Sequence, residues 1–424
     1  MKLRPRFLEI QSLLMEHDAL WRLSPFHITR PHWCAQQPEL ATALESLDDE
    51  AVDRFAAGPG AFAGWLSAHA PALAGLSAAA RVPPLPARDL AACDARFDDG
   101  IPGRKRAQVE AFARHMPACT SPALEWCAGK GHLGRRVALA DGVRVTSLEI
   151  DPTLCADAVH GAARSGANQH VVCADALDEG SRVHVRDHSV LALHACGELH
   201  RRLVRNAEHD GAQAYRIAPC CYHLGTDGAY RVLNRDARLM LDPSSLRVAV
   251  TEVVTAPRHD RQRLARDQAW KLGFVALRNA VEGEAQRPFR PVPATWYAEG
   301  FEAFCRRLAA RERLSLPQHV SWPDWERKGW ARRDQVRRFE LVRHAFRRPL
   351  ELWLVLDLAL GLAERGFAVR VGRFCERSLT PRNLLVLADR QGAAQKKEIA
   401  ACSNGLILNS AGGDGSTAAP PPSS

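Results

Sequence analysis

The sequence has no uninterrupted apolar run of the length that a membrane-spanning helix or a signal peptide requires. Its most apolar stretch, PLELWLVLDLALGLAERG, carries Glu351 and Asp357 and is too short to cross a bilayer. The first residues, MKLRPRFLEIQSLLMEHD, lack the apolar segment of a signal peptide. The 12 cysteines do not follow the regular spacing of a disulfide framework, so we expect reduced thiols. We therefore expect a cytoplasmic protein without a membrane partner, and no protein partner is indicated.

Positive charge exceeds negative charge in this chain of 424 residues. A hydrophobic content of 46% with 25% charged residues is ordinary for a globular protein. The net charge is +9 and the isoelectric point is near 9.1. A basic balance suits a polyanionic partner such as RNA. A basic protein without such a partner has the same balance, so the charge alone decides little.

The order of predicted elements divides the chain into regions. Residues 1–85 have apolar residues at helical spacing and predict a helical N-terminal region. The proline-rich stretch RVPPLPARD indicates a connection, and we place a linker at 86–103. From residue 104, short apolar runs alternate with helical ones as far as AYRIAPCCYH (214–223). This alternation predicts a parallel sheet with helices on both faces, and ligands bind at the carboxyl edge of such sheets.

The alternation stops after the fifth predicted strand. Residues from about 225 to 335 predict a helical insertion, and a long helix follows in RRPLELWLVLDLALGLAERG. GFAVRVGRF and LLVLAD then predict two strands joined at SLTPRN, which would end the sheet as an antiparallel hairpin. Residues 391–424 are low in complexity and predict a disordered tail. The predicted class is α/β with a Rossmann-like sheet.

The segment EWCAGKGHLGRR (125–136) contains Gly129-x-Gly131-x-x-Gly134, which matches the dinucleotide-binding fingerprint. A match of this length is weak evidence by itself. Glycines allow the backbone to pass close to a ligand, and the amino terminus of the next helix offers free N–H groups. A phosphate or a carboxylate would fit there equally well, so the residues after the loop must decide.

Three acids favour S-adenosyl-L-methionine (SAM) over a dinucleotide. Glu125 ends the first predicted strand, where a cationic amino group needs a carboxylate and a pyrophosphate would be repelled. Glu149 ends the second strand and can accept two ribose hydroxyls, as in NAD-binding folds. Asp175 ends the third strand and can accept from an adenine amino group. The alternatives are a solvated charge for Glu125 and a helix cap for Asp175. The predicted cofactor-binding residues are Glu125, Cys127, Gly129, Lys130, Gly131, Glu149 and Asp175.

Four segments in a fixed order also resemble a known family. ALEWCAGKGHLGRRVA, SLEID, ALHACGEL and APCCYH resemble class I methyltransferases typified by the eukaryotic tRNA acceptor-stem 2′-O-methyltransferase and by methyltransferase-like proteins with an rRNA-dimethylase domain. Members share an acid before a GxGKGxL loop, a His-x-Cys-Gly after the fourth strand and a Cys-Cys-x-His after the fifth. GRKRAQVEAF resembles the basic helix before their loop, and SLTPRNLLVLA resembles their carboxyl-terminal strand. The resemblance covers about 104–230 and 340–390.

This resemblance implies a seven-strand methyltransferase sheet over 104–390, ended by the antiparallel hairpin and interrupted by the insertion at about 225–335. It implies SAM as the cofactor and RNA, either tRNA or rRNA, as the substrate. The sequence departs from the family pattern in two places. Cys127 stands where a first glycine is usual, and the amino-terminal part has no CHHC-type zinc finger.

Histidines and cysteines follow two neighbouring predicted strands. Adjacent strands lie ~4.8 Å apart, so we expect these side chains to meet where a methyl group leaves the cofactor. The predicted catalytic residues are His194 and Cys196 after the fourth strand, and Cys220, Cys221, Tyr222 and His223 after the fifth.

This cluster has three possible uses. His194 or His223 can be a general base near its working pKa that takes the proton of a ribose hydroxyl. Cys196 or Cys220 can add as a thiolate to a pyrimidine ring, as in RNA cytosine-C5 methyltransferases. The group can bind zinc, although its spacing matches no standard module and no metal ligand is assigned. The alternative is a set of small buried residues that shape a pocket floor, with Tyr222 stacked on a base or filling the pocket.

A basic segment lies at residues 326–348. It holds nine Lys and Arg residues and three acids, a net charge of +6, with Trp330 and two phenylalanines interleaved. Arginines neutralise phosphates and aromatic rings stack on bases, so we expect RNA contact here, extended by Arg104, Lys105 and Arg106. The alternative is a solvated helical face whose aromatic rings pack inward.

The sequence therefore predicts a SAM-dependent methyltransferase that acts on RNA. Two alternatives remain open. One is a small-molecule methyltransferase in which the amino-terminal helices act as a lid, and the other is a protein that binds SAM or RNA without transfer.

Overall fold

The computed structural model of the protein describes residues 2–93, 95–251, 258–283 and 289–392, so the predicted tail lies outside the described residues from 393 onwards. Seven strands in this part of the chain form one sheet. They are β1 (Ala123–Trp126), β2 (Val145–Glu149), β3 (Gln169–Cys173), β4 (Ser189–Cys196), β5 (Ala214–Cys220), β6 (Phe367–Arg373) and β7 (Leu384–Arg390).

The strand order across the sheet is β3-β2-β1-β4-β5-β7-β6. Strands β1 to β5 are parallel, and β7 pairs antiparallel with both β5 and β6. Strands β1 and β5 are buried along their whole length, because helices cover both faces of the sheet. The predicted α/β class, the seven-stranded sheet and its terminal antiparallel pair are confirmed.

Helices surround this sheet and also fill the segments before it and after β5. Before β1 they are α1 (Leu3–Glu16), α2 (Asp18–Trp21), α3 (Trp33–Gln36), α4 (Pro38–Glu45), α5 (Asp49–Ala57), α6 (Pro59–His69), α7 (Leu76–Ala79), α8 (Ala95–Asp98) and α9 (Gly103–Arg114). Between the parallel strands they are α10 (His132–Asp141), α11 (Pro152–Ser165) and α12 (Glu198–Asn206). After β5 they are α13 (Pro243–Val248), α14 (Arg258–Glu282), α15 (Phe301–Glu312), α16 (Trp322–Ala345) and α17 (Arg347–Glu364).

Local signals set the ends of α11, which follows the second acid of the site. The Asp151 carboxylate accepts from the nitrogens of Thr153 and Leu154 at 2.8 and 3.3 Å, which caps the first turn. Pro152 occupies the first helical position, and Gly166 ends the helix with φ 66°. The chain therefore leaves β2 and enters α11 within three residues, which holds Glu149 at the edge of the sheet.

The amino-terminal helices share a core with α17 and one face of the sheet. Phe7 of α1 stacks on Trp353 of α17 with ring centroids 5.3 Å apart. On the opposite face, Phe112 of α9 and Val137 of α10 belong to a second core against the strands. A third apolar cluster joins α14 and α15 around Phe304.

The segment predicted as a linker is bonded to the rest of the fold. The nitrogen of Leu85 donates to the carbonyl of Arg373 on β6 at 2.9 Å, and Arg373 donates back to Pro83 at the same distance. Arg88 pairs with the buried carboxylate of Asp141 at 2.6 Å. This proline-rich stretch therefore runs along the free edge of β6 and covers it.

Helix α17 is buried among other helices and the sheet. Its Asp357 accepts from the Tyr230 hydroxyl at 2.8 Å and from the nitrogens of Leu233 and Asn234 at 3.0 Å. Burial raises the pKa of Asp357 to about 6 despite these bonds. Within the residues that the structure describes, none of the helices combines the length and apolar character that crossing a bilayer needs.

Candidate active site

The loop between β1 and α10 has an unusual backbone. Cys127, Gly129 and Gly131 have φ values of 57°, 57° and 66°, in the left-handed region that favours glycine. A side chain at Gly131 would meet the Gln169 amide at 2.6 Å, whereas one at Gly129 would meet nothing within 4 Å. The loop is therefore packed on one side and open on the other, which leaves room for a ligand above Gly129.

Glu125 lies beneath this loop and is buried. Its carboxylate accepts from the nitrogen of Leu133 at 3.2 Å and from the Ser147 hydroxyl at 2.8 Å. Any side chain at Gly134 would lie 2.6 Å from the same carboxylate, so the third glycine of the fingerprint is required by packing. Burial raises the pKa of Glu125 to about 7, against the opposing effects of its hydrogen bonds and of Lys105. The predicted contact of Glu125 with a cofactor amino group stays a prediction.

Glu149 and Asp175 lie at the ends of the next two strands. Glu149 accepts from the nitrogen of Gly129 at 2.7 Å and from that of Ile150 at 3.0 Å. Asp175 accepts from the nitrogen of Leu177 at 2.8 Å within a turn, and no helix begins there, so the helix cap considered as its alternative is not what forms. Both side chains keep further lone pairs with which they can accept bonds from a ligand.

The side chain of Cys127 is close to all three acids. Burial raises the pKa of the Cys127 thiol to about 12, and the negative charges of Glu149, Asp175 and Glu125 add to this effect. The thiol of Cys196 contributes in the same sense. Cys127 follows β1, which lies in the sheet between β2, ending at Glu149, and β4, ending at Cys196, so the predicted cofactor acids and the predicted catalytic cluster share one edge of the sheet.

Lys130 has a partner that the sequence analysis did not anticipate. Its ammonium lies 2.9 Å from the carboxylate of Asp157 on α11, and both side chains are about half exposed. An exposed ion pair of this kind contributes about 0–1 kcal/mol to stability. A contact of Lys130 with the cofactor stays a prediction.

The cysteines after β4 and β5 meet. Cys196 and Cys220 are paired in the sheet register, and their sulfur atoms are 3.1 Å apart. With Cys221 they form a group whose sulfur atoms all lie within 4.8 Å of one another. The pKa of Cys221 is lowered to about 5, first by its interaction with the Cys220 thiol, while that of Cys220 is raised.

His194 is held in one orientation. Its Nε2 lies 3.1 Å from Oε1 of Gln108, whose Nε2 donates to the carbonyl of Leu379 at 3.3 Å. Because the amide nitrogen of Gln108 faces that carbonyl, its oxygen must accept from His194, so the His194 proton is on Nε2 and the lone pair on Nδ1. Burial lowers the pKa of His194 to about 4, and Lys105 and Arg382 lower it further. His194 is therefore a weaker base than the working pKa expected from the sequence.

Of the two remaining predicted residues, His223 lies beside the cysteines and Tyr222 lies in the hydrophobic core. His223 is half-buried beside Cys221, and its Nδ1 has no hydrogen-bond partner among the described residues. Tyr222 belongs to the main core, packs edge-on against His200 and donates its hydroxyl to the carbonyl of Pro219 at 3.4 Å. The structure does not bring the Tyr222 ring into the cluster, because the hydrophobic core takes it instead.

Three residues reach the site from elements that the sequence did not connect to it. Gln108 comes from α9 and Arg382 from the connection between β6 and β7. Lys105, also on α9, is half-buried, and burial lowers its pKa while Glu125 and the Cys220 thiol oppose that effect. In the sequence, only the basic GRKR motif and the SLTPRN turn pointed to these three residues.

The two arginines on either side of Lys105 have other partners. Arg104 donates to the carbonyl of Leu379, and Arg106 pairs with Asp98.

Much of the basic segment is used inside the protein. Arg332 donates to the carbonyl of Pro25 at 2.7 Å, and Arg343 donates to that of Trp21 at 2.9 Å. Phe339 and Phe346 are buried, as the inward-packing alternative expects, whereas Trp330 remains 36% exposed. These arginines join α16 to the amino-terminal helices, and RNA contact of this segment stays a prediction.

Comparisons with known proteins agree with the geometry. Residues 104–226 match the model of a family described as a methyltransferase domain, which is less than half of the chain. No curated protein sequence matches. One similar solved structure is M. jannaschii TYW2 in complex with AdoMet, with 16% identity over 28% of this chain and 52% of that chain and a TM-score of 0.23. This chain thus spans about half the length of that structure. Another, described as the conversion of a disulfide bond into a thioacetal group during echinomycin biosynthesis, has 14% identity over 70% of this chain and 94% of that chain, and the same TM-score of 0.23.

Residues 104–226 are therefore similar to a methyltransferase domain, and the seven-stranded sheet that they help to form agrees with this match.

Proposed function

We propose that the protein transfers a methyl group from SAM to RNA. The observation that carries the proposal is the strand order: Cys127 follows β1, which lies between β2, ending at Glu149, and β4, ending at Cys196. A cofactor bound above Gly129 would therefore present its methyl group to the residues that follow β4 and β5. The resemblance of the sequence to RNA-modifying methyltransferases also supports this proposal.

The acceptor end needs a group that takes a proton. The bound cofactor supplies an electrophilic methyl group on its sulfonium. As the bond from an acceptor oxygen to that methyl group forms and the S–CH₃ bond breaks, the oxygen loses its proton. The Nδ1 lone pair of His194 is available for this proton because Gln108 fixes the other ring nitrogen as a donor. His194 is the proposed base, and Gln108 is a positioning residue.

A basic groove supports RNA as the substrate. Two cavities of about 670 and 650 Å³ adjoin at His344 and Arg347, which line both. Among the charged residues that line each cavity, arginines outnumber the acids, which are Glu376 in one and Asp53 in the other. The arginines are Arg81, Arg347, Arg348, Arg373 and Arg377 in the first cavity, and Arg261, Arg333, Arg337 and Arg347 in the second. Phosphates bind such surfaces through ion pairing and counterion release.

The groove is connected to the methyl-transfer site. Arg348 in the groove donates to one oxygen of Glu351 at 2.6 Å, and Arg382 donates to the other at 3.4 Å. The positive charge of Arg382 lowers the pKa of both His194 and Cys221. Glu351 and Arg382 thus join the lining of the groove to the surroundings of His194.

Methyl transfer from labelled SAM tests the proposal directly. Total RNA and a small-molecule extract are offered separately, and label is followed after nuclease treatment. We expect label in RNA only, and nucleoside mass spectrometry then identifies the acceptor atom. Label confined to small molecules would favour the small-molecule methyltransferase, and SAM binding without transfer would favour the non-catalytic binder.

A pair of histidine variants tests the base. We expect H194A to lower kcat by about 100-fold or more, since general bases contribute about 10²–10⁴. The affinity for SAM should remain within a factor of two. The exposed His170 on β3 provides the control, so H170A should keep full activity. Equal activity of the two variants would remove His194 from the mechanism.

A further inference from the structure

The three thiols after β4 and β5 form a compact group of soft ligands. Their sulfur atoms lie within 4.8 Å of one another, and those of Cys196 and Cys220 are 3.1 Å apart. Two thiolates at that distance repel strongly unless a cation lies between them. Zinc binds thiolate sulfur at ~2.3 Å in a tetrahedron, which separates the sulfur atoms by about 3.8 Å. This separation lies between the 3.1 Å from Cys196 to Cys220 and the 4.8 Å within which all three sulfur atoms lie.

A fourth ligand can come from His223, which lies beside Cys221 but outside the group of three thiols. His223 follows Cys221 by two residues, and its Nδ1 is buried without a hydrogen-bond partner among the described residues. A buried polar atom of this kind costs free energy unless it finds a partner. His194 also lies outside this group, and its free Nδ1 is the atom proposed above as the base, so it is not assigned as a ligand.

The surrounding charges suit an anionic metal centre. Three thiolates, a neutral imidazole and one Zn²⁺ have a net charge of −1. The positive charge of Arg382 acts on Cys221, and that of Lys105 on Cys220. The protein thus supplies the countercharge that a buried Cys₃His centre requires.

We propose that Cys196, Cys220, Cys221 and His223 bind one zinc ion at the carboxyl ends of β4 and β5. Four protein ligands close the coordination shell, so the ion has a structural role and activates no water. It ties together two strand ends at which His194 and Cys221 have φ values of 70° and 45°, a conformation that is costly for residues other than glycine. The same ion would occupy the cysteines that a pyrimidine-addition mechanism needs. The proposal is independent of methyl transfer.

Metal analysis of the full chain tests this site. The protein is expressed with added zinc and purified without chelators, and its metal content is measured by plasma mass spectrometry. We expect about one zinc per chain. Replacement of zinc by cobalt should give the sulfur-to-cobalt charge-transfer absorption and the strong visible bands of a tetrahedral thiolate site. A zinc content below a tenth of an equivalent, with no such cobalt spectrum, overturns the proposal without any variant.

Single substitutions then identify the ligands. C196S, C220S, C221S and H223A should each weaken zinc binding by at least tenfold in competition with a chelator. The exposed Cys173 on β3 offers a matched control, so C173S should keep the wild-type zinc content. If C196S and C220S keep their zinc, or if mass spectrometry of the wild-type protein finds these two cysteines joined as a disulfide, the assignment of ligands is wrong.

Discussion

The carboxylate of Glu149 accepts a hydrogen bond from the backbone nitrogen of Gly129 at 2.7 Å, and so joins the end of β2 to the loop after β1. Its other oxygen accepts from the nitrogens of Ile150 and Asp151 at 3.0 and 3.1 Å. The oxygen that accepts from Gly129 has a further lone pair, so one ribose hydroxyl can bind without breaking these bonds. One side chain thus shapes the loop and can also bind the cofactor.

The open space above Gly129 predicts the effect of a large residue there. We expect G129L to weaken SAM binding at least tenfold in isothermal titration, because its side chain would extend into the proposed cofactor site. The positive φ of 57° should also lower the free energy of unfolding by about 1–2 kcal/mol.

Gly142 at the end of α10 is the matched control for that substitution. It has φ 69° and equally open surroundings, but it lies at the opposite end of the helix. G142L should show the same loss of stability and normal SAM binding. If G142L loses as much SAM affinity as G129L, backbone strain explains the loss in G129L, and a side chain that fills the cofactor site does not.

The raised pKa of Glu125 predicts how SAM affinity depends on pH. Ser147 and the nitrogen of Leu133 donate to this carboxylate, and Lys105 is the cation near it. Because burial raises its pKa to about 7, ionised Glu125 becomes available to a cofactor ammonium only as the pH rises through 7. We expect SAM to bind several-fold more tightly at pH 8 than at pH 6. 5′-Methylthioadenosine, which lacks the ammonium, should show no such change, and a parallel rise for both ligands would contradict this role.

The same ionisation affects stability with a defined sign. The folded pKa lies above the ordinary value of 4.5, so folding is favoured by the protonated form. This contribution is fully present below pH 4.5 and is lost as the pH rises through about 7. We expect E125Q to remove this part of the pH dependence of the free energy of unfolding, measured by urea titration at pH 5 and pH 8.

The features that could be predicted from the sequence are local ones. The alternation of apolar strands and helices predicts the parallel sheet. It also places Glu125 near the end of β1, Glu149 at the end of β2 and Asp175 just after β3. Parallel strands bring their carboxyl ends to one edge, so the meeting of Cys196 and Cys220 follows from the same pattern.

The features that sequence reasoning missed depend on packing between distant segments. Gln108 reaches His194 across 86 residues of sequence, because α9 packs over the edge of the sheet. Arg332 contacts Ile28, which is 304 residues away, and no charge pattern names such a partner in advance. The direction of Tyr222 is set by the core that forms around α17. Its neighbours in sequence do not determine it.

The contact between Gln108 and His194 predicts a selective loss of turnover. Q108A should lower kcat about tenfold with little change in SAM affinity, because the imidazole would lose the partner that fixes its proton on Nε2. Arg104 donates to the same Leu379 carbonyl at 2.9 Å, and in the described part of the chain it forms no hydrogen bond with His194, so R104Q is the control. If R104Q loses as much turnover as Q108A, the loss is caused by a change in the connection between β6 and β7. The orientation of His194 is then not its cause.

The arginine groove predicts a salt-dependent effect on RNA binding alone. Arg81 and Arg261 are exposed and line its two cavities. We expect R81E/R261E to weaken RNA binding at least tenfold and to reduce the slope of log K against log salt by about 1.4–1.8, since each lost phosphate contact contributes about 0.7–0.9. SAM affinity should not change.

Arg144 and Arg231 provide the control, because both are exposed and neither lines these two cavities. R144E/R231E therefore makes the same change in net charge outside the groove. Because long-range attraction depends on total charge whereas phosphate contacts depend on position, equal losses in the two variants would show that the groove is not the binding surface.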